Sequence, residues 1–573
     1  MLRLLLLLVS PARAPAQRGP RERVVRVEVL GRTSSVGASL CNPHPGFFVT
    51  LKKLGFGATV VFAFALGAFM RPSKSQMASP ALFNQVFKLV STRFVDSLDT
   101  SALYDRAARG LVEELHDPYA DLYDPDQLKE FAVMAEGRYA GVGMLVEDQN
   151  GAVVVSRVFP HTPAEEAGIQ EGDHIVGLDG QSTSGWSLNK VTAGLKGPEG
   201  TQVTATFSRP GSPAPIVAHF TRRIIHIPAV PFATVLPGGV GYIPLQQFNE
   251  TAGEETANAV RTLTAQGARG IVLDMRGNGG GLVSEAVKVA NLFLPQGAQV
   301  AAQRERGREP LIYVAREQPL APTTPLIVLV DSTSASATEI VTGALQDHDR
   351  ALVIGTRTFG KGLVQSVFDL DDGYALKLTT GKWFTPSGRS IHRDRVMLDG
   401  RLVVDTTHAD SVKTAAERAA VYHSDSGRRL FGGGGIVPDV TVRQDTLTLA
   451  EQKLVKDLLP KSRDLYLAIY KYGWELKSQV KPDFTVTPAM REALRQRLQT
   501  AGVQVPAADW QAGGTWVDRL LGDRIARFAF GDSTALRREY DDDAQLVRAV
   551  DMLRRGPTQQ ALFALANGVK PQS

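Results

Sequence analysis

Hydrophobic and polar positions change their period several times along the chain. Between residues 78 and about 136 they repeat at helical spacing, and one predicted helix face carries Leu82, Val86, Leu89 and Val90. From Tyr139 onward the pattern changes to short apolar runs separated by glycine turns, with a single short helical stretch. That second pattern is typical of a small, strand-rich domain.

Strand-like and helix-like runs alternate from residue 224 to residue 443. A helix is predicted at Ala252–Ala265, followed by the buried strand "GIVLDM", the turn "RGNGGG" and further strand and helix pairs. Two extended runs, Leu363–Leu370 and Tyr374–Phe384, are joined by "DDG" and predict a hairpin. Strand, polar turn and helix in repeated order indicate an α/β core.

The last part of the chain is mostly helical, for example at Thr487–Leu498, and carries no recognisable chemistry. We therefore predict an α+β / α/β multidomain protein whose C-terminal helices form an appendage. The predicted segments are a leader (1–77), a helical segment (78–137), a strand-rich domain (138–223), an α/β core (224–443) and a helical extension (444–573).

Charge is distributed unevenly over the 573 residues. The net charge is +5, yet residues 1–77 alone hold eleven Lys and Arg against two Glu, which leaves the remainder at −4. A mildly acidic body with a basic leader argues against a nucleic-acid groove and for a targeting segment.

The leader contains an apolar run of 17 residues, Leu54–Met70, that follows Lys52 and Lys53. This run has the length of a short membrane helix or of a signal sequence, and we favour an uncleaved anchor. Because Cys41 is the only cysteine and no histidine precedes a glutamate, the body offers neither a thiolate metal site nor an H-E-x-x-H zinc motif. No cofactor and no metal are predicted.

The stretch "GTRTFGKG" resembles a phosphate-binding loop but lacks two of its requirements. Such a loop is followed by a helix, and a hydroxyl residue after its lysine binds magnesium. Here Gly362 follows Lys361, and the next residues are the β-branched and aromatic run of the predicted hairpin. A nucleotide site is therefore disfavoured.

A different partner for Lys361 lies upstream in "VDSTSASATEIVTGALQD". A buried strand is predicted to end there and a helix to begin, which places Ser336 at a helix N-terminus where backbone amides stabilise negative charge. Ser336 is the candidate nucleophile and Lys361 the candidate base, with Ser332, Ser334 or a plain helix cap as alternatives. A triad through His348 or His392 would require a G-x-S-x-G turn, which the sequence lacks.

A lysine acts as a base only when it is neutral. Its pKa must fall from about 10.4 towards 7, and burial in an apolar pocket produces such a shift. Phe359, Leu363 and Val364 supply apolar neighbours, and no acidic residue lies between Arg350 and Phe368. We therefore expect Lys361 in a dry pocket without a nearby carboxylate.

The strand-rich block resembles a PDZ domain through "GVGM" and "HTPAEEAGIQEGDHIVGLDG". Consecutive amides at Val142, Gly143 and Met144 can surround the carboxylate at the end of a peptide, and the strand that follows can pair with that peptide. Peptides and proteins with free C-terminal tails are the partners expected from this resemblance.

From residue 78 to 443 the chain resembles the C-terminal processing peptidases, also called tail-specific proteases. The motifs that carry the resemblance are "GIVLDMRGNGGGL", "SASATEI", "TFGKGLVQ", "LKLTTGKWFTPSGRSI" and "GGIVPDV". It implies a crotonase-like catalytic core in which Ser336 is the nucleophile, Lys361 the general base and Gln365 the residue that orients the lysine. The sequence departs mildly from the family pattern at Gly277, Gly279 and Thr338.

By the same resemblance, the amides of Ala337 and Gly280 would form an oxyanion hole. The expected function is a serine endopeptidase of the bacterial cell envelope, on the periplasmic side and anchored in the inner membrane by residues 54–70. The alternative is a catalytically inactive, PDZ-bearing scaffold that only binds peptides. The sequence does not decide whether the protein forms a homo-oligomer.

Overall fold

The structure is a computed structural model that describes residues 80–149, 151–209, 212–398, 401–404, 420–444 and 447–568. The predicted membrane segment at residues 54–70 and Cys41 lie outside these ranges. Within the ranges, no helix combines the length and the apolar composition that a membrane crossing requires.

The α-helices of the described residues are α1 (Pro80–Arg93), α2 (Thr100–Glu113), α3 (Pro125–Glu136), α4 (Pro163–Glu166), α5 (Leu188–Leu195), α6 (Ala252–Ala265), α7 (Val283–Asn291), α8 (Ala337–Asp347), α9 (Leu449–Leu458), α10 (Ser462–Leu476), α11 (Pro488–Thr500), α12 (Ala507–Ala512), α13 (Gly514–Phe530), α14 (Asp532–Glu539), α15 (Ala544–Arg555) and α16 (Gln559–Ala566).

The strands of the same residues are β1 (Asp121–Tyr123), β2 (Arg138–Gly141), β3 (Met144–Gln149), β4 (Ala152–Val158), β5 (His174–Leu178), β6 (Gln181–Ser182), β7 (Gln202–Ser208), β8 (Ile216–Thr221), β9 (Arg223–His226), β10 (Thr234–Leu236), β11 (Val240–Pro244), β12 (Gly270–Asp274), β13 (Gln299–Glu305), β14 (Leu311–Val314), β15 (Leu326–Val330), β16 (Leu352–Gly355), β17 (Leu363–Asp369), β18 (Ala375–Phe384), β19 (Arg395–Leu398), β20 (Arg401–Val404), β21 (Val421–His423), β22 (Arg429–Phe431) and β23 (Val440–Thr441).

Contacts divide the described residues into two units, one that ends at Leu111 and one that begins at Val112. In the first unit, Phe87 of α1 stacks on Tyr104 of α2 with ring centroids 4.1 Å apart. The second unit contains a strand that the helical spacing did not predict, because β1 interrupts the helical segment and pairs with β18. Asp124 then caps α3 by accepting the Gln127 amide at 2.9 Å.

The strand-rich domain is a sheet in the order β3-β4-β5-β7-β8, with β6 paired to β5. Its core is formed by alternating apolar residues such as Val153, Val155 and Phe207, which are at most 3% exposed. Strand β3 lies at the edge of the sheet, since it pairs only with β4. Helix α5 packs beside it.

The α/β core is a sheet in the order β10-β11-β12-β15-β16-β23. Every pair from β11 to β23 is parallel, and side chains alternate between its two covered faces. Ile271 and Leu273 pack with α6, α7 and α8 on one face. Val272 faces the opposite side, where α15 and α16 cover the sheet.

A second sheet is ordered β1-β18-β13-β14, and β17 pairs with β18. The predicted hairpin is confirmed as β17 and β18, which are joined by a turn ending at Gly373 with φ +77°. Since Lys361 immediately precedes this hairpin rather than a helix, the chain does not form a phosphate-binding loop at this position.

The C-terminal region is helical, as predicted, but it is only partly an appendage. Helices α9 to α13 enclose a core of their own around Trp510, which is 1% exposed. In contrast, Leu546 of α15 and Leu562 of α16 are fully buried against the α/β sheet. The final helices therefore complete the core, because a parallel sheet must be covered on both faces.

Candidate active site

Ser336 occupies a strained turn between β15 and α8. Its backbone has φ +57° and ψ −117°, a conformation that L residues rarely adopt and that costs roughly 1–3 kcal/mol. The turn is fixed by the Ala335 amide, which donates to the Asn278 carbonyl at 3.0 Å. It is also fixed by the Ser336 amide, which donates to Glu339 Oε2 at 2.9 Å.

The two competing serines have different surroundings. Ser334 is fully buried, and its hydroxyl donates to the Met275 carbonyl at 2.9 Å and accepts the Asp331 amide at 3.0 Å. Its hydroxyl is therefore used to hold the loop. Ser332 is exposed, whereas Ser336 is half-buried at the head of α8. This geometry favours Ser336.

Glu339 connects the turn of the candidate nucleophile to the loop of the candidate base. Its side chain is fully buried and accepts the amides of Gly360 and Lys361 at 2.7 and 2.8 Å, besides that of Ser336. The Thr358 hydroxyl donates a fourth hydrogen bond at 2.5 Å. Burial raises the pKa of the Glu339 carboxyl, and these four donors act in the opposite direction.

This role of Glu339 was not predicted from the motifs. The available signal was its position three residues after Ser336, since a glutamate there reaches back to the N-cap amide. Its contacts with residues 358–361 depend on tertiary packing. The spacing of residues along the sequence does not predict such contacts.

Lys361 lies half-buried between two glycines. Burial lowers its pKa, and the charge of Lys377 acts in the same direction, while Asp117 and Glu339 oppose them. The expectation of no nearby carboxylate is therefore wrong, because folding brings both acids from distant segments. The Lys361 Nζ faces the Tyr119 ring, 4.9 Å from its centroid, rather than forming a hydrogen bond to Ser336.

Gln365 lies on β17, next to a shift in the pairing register with β18. Its Nε2 donates to Thr379 Oγ1 at 3.4 Å, across the hairpin. The structure thus gives it a partner other than Lys361. Its orienting role stays a prediction.

The glycine turn approaches Ser336, the candidate nucleophile, closely at Gly280. A Cβ atom at this position would lie 2.8 Å from the Ser336 Cβ and 3.0 Å from the Ala337 nitrogen, and φ is +101°. Only glycine fits there. Its amide, however, donates to Asn278 Oδ1 at 2.8 Å, so that hydrogen is already used within the turn. The Ala337 amide lies in the first turn of α8, beside Ser336.

Arg276, in the same turn, connects the site to the C-terminal helices. It is 7% exposed and donates to both carboxylate oxygens of Asp274 at 2.9 and 2.7 Å. It also donates to both oxygens of Asp543, the N-cap of α15, at 2.9 and 2.7 Å. A helix more than 260 residues away therefore fixes the turn.

The histidines weighed for a triad are engaged elsewhere. His348 Nδ1 lies 2.7 Å from Asp425 Oδ2, and its Nε2 lies 2.7 Å from the Gln299 carbonyl. Burial lowers the pKa of His392 to about 4, and its Nε2 lies 3.1 Å from Asp394. Among the described residues, no group of three or more His, Cys, Asp or Glu is arranged to hold a metal ion.

The predicted carboxylate loop is held through its carbonyl groups. The Ala164 amide donates to the Val142 carbonyl at 2.8 Å, and the Phe159 amide donates to that of Gly143 at 2.9 Å. Gly143 has φ +88°, and a Cβ atom there would lie 2.2 Å from the Thr162 Cβ. Met144 begins the edge strand β3. The loop therefore stands at the entrance to the open edge of the sheet.

Two family models and several curated proteins match this chain. The peptidase family S41 model matches residues 239–401, and the PDZ domain model matches residues 132–206. The chain is 36% identical over 315 residues to the carboxy-terminal-processing protease of Bartonella bacilliformis, covering 54% of this chain and 72% of that relative. It is 34% identical over 342 residues to a probable CtpA-like serine protease of Staphylococcus aureus, covering 59% of this chain and 68% of that relative.

A solved structure, the photosystem II D1 C-terminal processing protease, is 29% identical, with a TM-score of 0.35, and the match covers 64% of this chain and 94% of that protein. The sequence relatives decide the assignment, because they are matched over more than two thirds of their own length. The chain belongs to peptidase family S41, the carboxy-terminal processing serine proteases, and carries a PDZ domain.

Proposed function

We propose that this protein cleaves other proteins near their C-termini, with Ser336 as nucleophile and Lys361 as general base. The observation that carries the proposal is the junction at Glu339. One buried carboxylate accepts the backbone amides of both Ser336 and Lys361, at 2.9 and 2.8 Å. The two backbones are thereby held in one framework.

The chemistry follows from the two side chains. The neutral Lys361 amine accepts the Ser336 proton as Oγ attacks the scissile carbonyl, and the Ala337 amide at the head of α8 stabilises the resulting oxyanion. The ammonium then donates its proton to the departing amine, which leaves an acyl-enzyme on Ser336. A water molecule, deprotonated by the same amine, hydrolyses that ester and restores the serine.

The PDZ domain supplies the selection for tails. A peptide carboxylate would bind to the amides of Val142, Gly143 and Met144, while the peptide backbone adds to the edge of β3 beside α5. This arrangement is supported by the carbonyl groups of Val142 and Gly143, which accept amides within the domain. Their oxygens are therefore engaged and do not repel the carboxylate of the peptide.

Single substitutions test the catalytic pair. The purified chain is incubated with an unfolded protein that ends in a free, apolar tail, and cleavage is followed by mass spectrometry. Ser336→Ala and Lys361→Ala should each lose at least about a thousandfold in kcat. Ser332→Ala, an exposed serine in the same loop, is the matched control and should cleave like the parent chain. Full cleavage by Ser336→Ala would exclude this serine as the nucleophile.

The same assay separates a protease from an inactive scaffold, because the scaffold alternative predicts that tailed peptides bind without any cleavage.

A second experiment tests the capture of the tail by the PDZ domain. Amidating the peptide's C-terminal carboxylate should raise KM strongly and leave kcat nearly unchanged, because the tail contacts the PDZ loop rather than the reacting atoms. Equal KM for both peptides would refute tail capture and would leave the Ser336 assignment intact.

The proposed location is the bacterial cell envelope, with residues 54–70 as an anchor in the inner membrane. The basic leader and the apolar run that it contains support this proposal. Expression of the full chain should place it in the membrane fraction under alkaline extraction. Recovery in the supernatant would contradict the anchor.

A further inference from the structure

Tyr119 meets the candidate base from a distant part of the chain. It follows "HDP" and lies just before β1, whose pairing with β18 places this segment beside the β17–β18 hairpin. The Lys361 Nζ lies 4.9 Å from the centroid of the Tyr119 ring. An ammonium within about 6 Å of an aromatic ring is attracted by its electron-rich face.

The polar edge of Tyr119 is also unusual. Its hydroxyl oxygen is buried and makes no well-formed hydrogen bond among the described residues. Burial raises the pKa of Tyr119, while the neighbouring Arg395 acts in the opposite direction. The Arg395 guanidinium lies 3.5 Å from the centroid of the Phe359 ring. What Tyr119 presents to Lys361 is therefore a neutral aromatic ring.

The charged groups that face Lys361 come from three other segments. Lys377 on β18 repels the ammonium, and Asp117 and Glu339 attract it. Lys377 is itself held by Tyr123, whose hydroxyl oxygen lies 2.6 Å from its Nζ. The segment from Asp117 to Tyr123 thus contacts two lysines through two tyrosines. Each Nζ lies 4.9 Å from a ring centroid, and Lys377 alone also donates to a tyrosine hydroxyl, that of Tyr123.

We propose that Tyr119 is a positioning residue that holds the ammonium form of Lys361 on its ring face between turnovers. The neutral amine leaves the ring to reach Ser336. The role of the neutral amine at Ser336 rests on the proposed function, whereas the contact between the Tyr119 ring and Lys361 does not.

The expected effect has a definite sign. The ring attracts the charged amine and not the neutral one, so it raises the pKa of Lys361 against the lowering that burial causes. Replacing the ring by an aliphatic side chain of similar volume removes the attraction by the ring and keeps the burial of Lys361. The Lys361 pKa should then fall by about half a unit to one unit.

The test is a titration of the full-length Ser336→Ala protein, labelled with [13Cε]lysine and followed by NMR. The Lys361 signal is assigned by its absence in Lys361→Met. Tyr119→Leu should lower the pKa by about half a unit to one unit, and Tyr119→Phe should leave it unchanged because it retains the ring. A Leu variant with the pKa of the parent, or a higher one, would overturn the proposal.

Two further measurements keep the test decisive. If Tyr119→Leu does not fold, Tyr119→Trp should raise the Lys361 pKa, since indole binds cations most strongly, and a value at or below the parent's would refute the proposal. In active protein, the acidic limb of kcat/KM should move to lower pH in Tyr119→Leu by the same amount as the NMR pKa. If the NMR pKa moves and the limb does not, the ring contact stands and Lys361 is not the base.

Discussion

Two buried glutamates, in different regions of the molecule, have different hydrogen-bonding and charged partners. Glu339 in the α/β core accepts four hydrogen bonds of 2.5 to 2.9 Å, from Ser336 and from the loop of residues 358–361. Glu171 of the PDZ domain lies against the C-terminal helices, where the Tyr470 hydroxyl is 3.4 Å from its Oε2. Burial raises the pKa of both carboxyl groups.

The difference lies in how each carboxylate is compensated. Around Glu339 the donors are mainly backbone amides, which are fixed in place by the fold and cannot turn away. Around Glu171 the compensation comes from the long side chains of Arg524 and Arg157, and Arg157 also pairs with Asp532 at 2.9 Å. The framework around Ser336 and Lys361 is therefore fixed by backbone donors, whereas the polar contact of Glu171 with the C-terminal helices depends on side chains that can rotate.

The largest effect is expected from Glu339→Ala. Four donors would lose their acceptor inside the core, which should lower the free energy of unfolding by about 4–5 kcal/mol. Acylation of Ser336 should fall as well, because the turn and the Lys361 loop lose their common anchor. Urea unfolding and single-turnover cleavage measure the two effects.

Glu285→Ala is the matched control for Glu339. Glu285 is 3% exposed and sits on α7, where it accepts the Gly253 amide at 3.1 Å and pairs with Lys288. Its loss should destabilise the chain with little effect on single-turnover cleavage. Equal loss of cleavage in both variants would mean that Glu339 acts only through general stability.

The second effect concerns Asp543. Asp543→Ala removes the cap of α15 and one of the two carboxylates that compensate Arg276, and should cost roughly 3 kcal/mol. Because Arg276 belongs to the glycine turn beside Ser336, kcat should fall along with stability. Thermal unfolding and cleavage assays test this, with Asp551→Ala on the exposed side of the same helix as control. Unchanged stability would show that α15 is not coupled to the turn.

The sequence predicted the elements of the site better than their connections. Strand β12, helix α6 and the β17–β18 hairpin follow from apolar runs and turn residues, which are local signals. Contacts of Lys361 with Tyr119 and of Arg276 with Asp543 join segments hundreds of residues apart. No periodicity encodes such pairs. The same limit explains why α15 and α16 looked like an appendage.

A smaller effect is expected from Lys361→Met. Burial lowers the Lys361 pKa, so folding disfavours its charged form at every pH below the unfolded value of about 10.4. Methionine lacks that cost, and the variant should be inactive yet more stable than the parent at pH 7. The gain should vanish as pH approaches 10.4, where the unfolded lysine also loses its proton. Lys129→Met, at a lysine 77% exposed, should show no such trend in urea unfolding.

The smallest effect, within about 1 kcal/mol, is expected from Glu171→Gln. Since the docked pKa of Glu171 is raised, the contact is tighter at low pH and loosens as pH rises through that pKa. Glutamine resembles the protonated form, so the protection of the β5 amides, measured against their intrinsic exchange rates, should rise at pH 7 and become independent of pH. Glu166→Gln, which breaks only the exposed pair with Arg223, is the control. Faster exchange in Glu171→Gln would mean that Arg524 and Arg157 outweigh desolvation, and that the PDZ contact is as firmly compensated as Glu339.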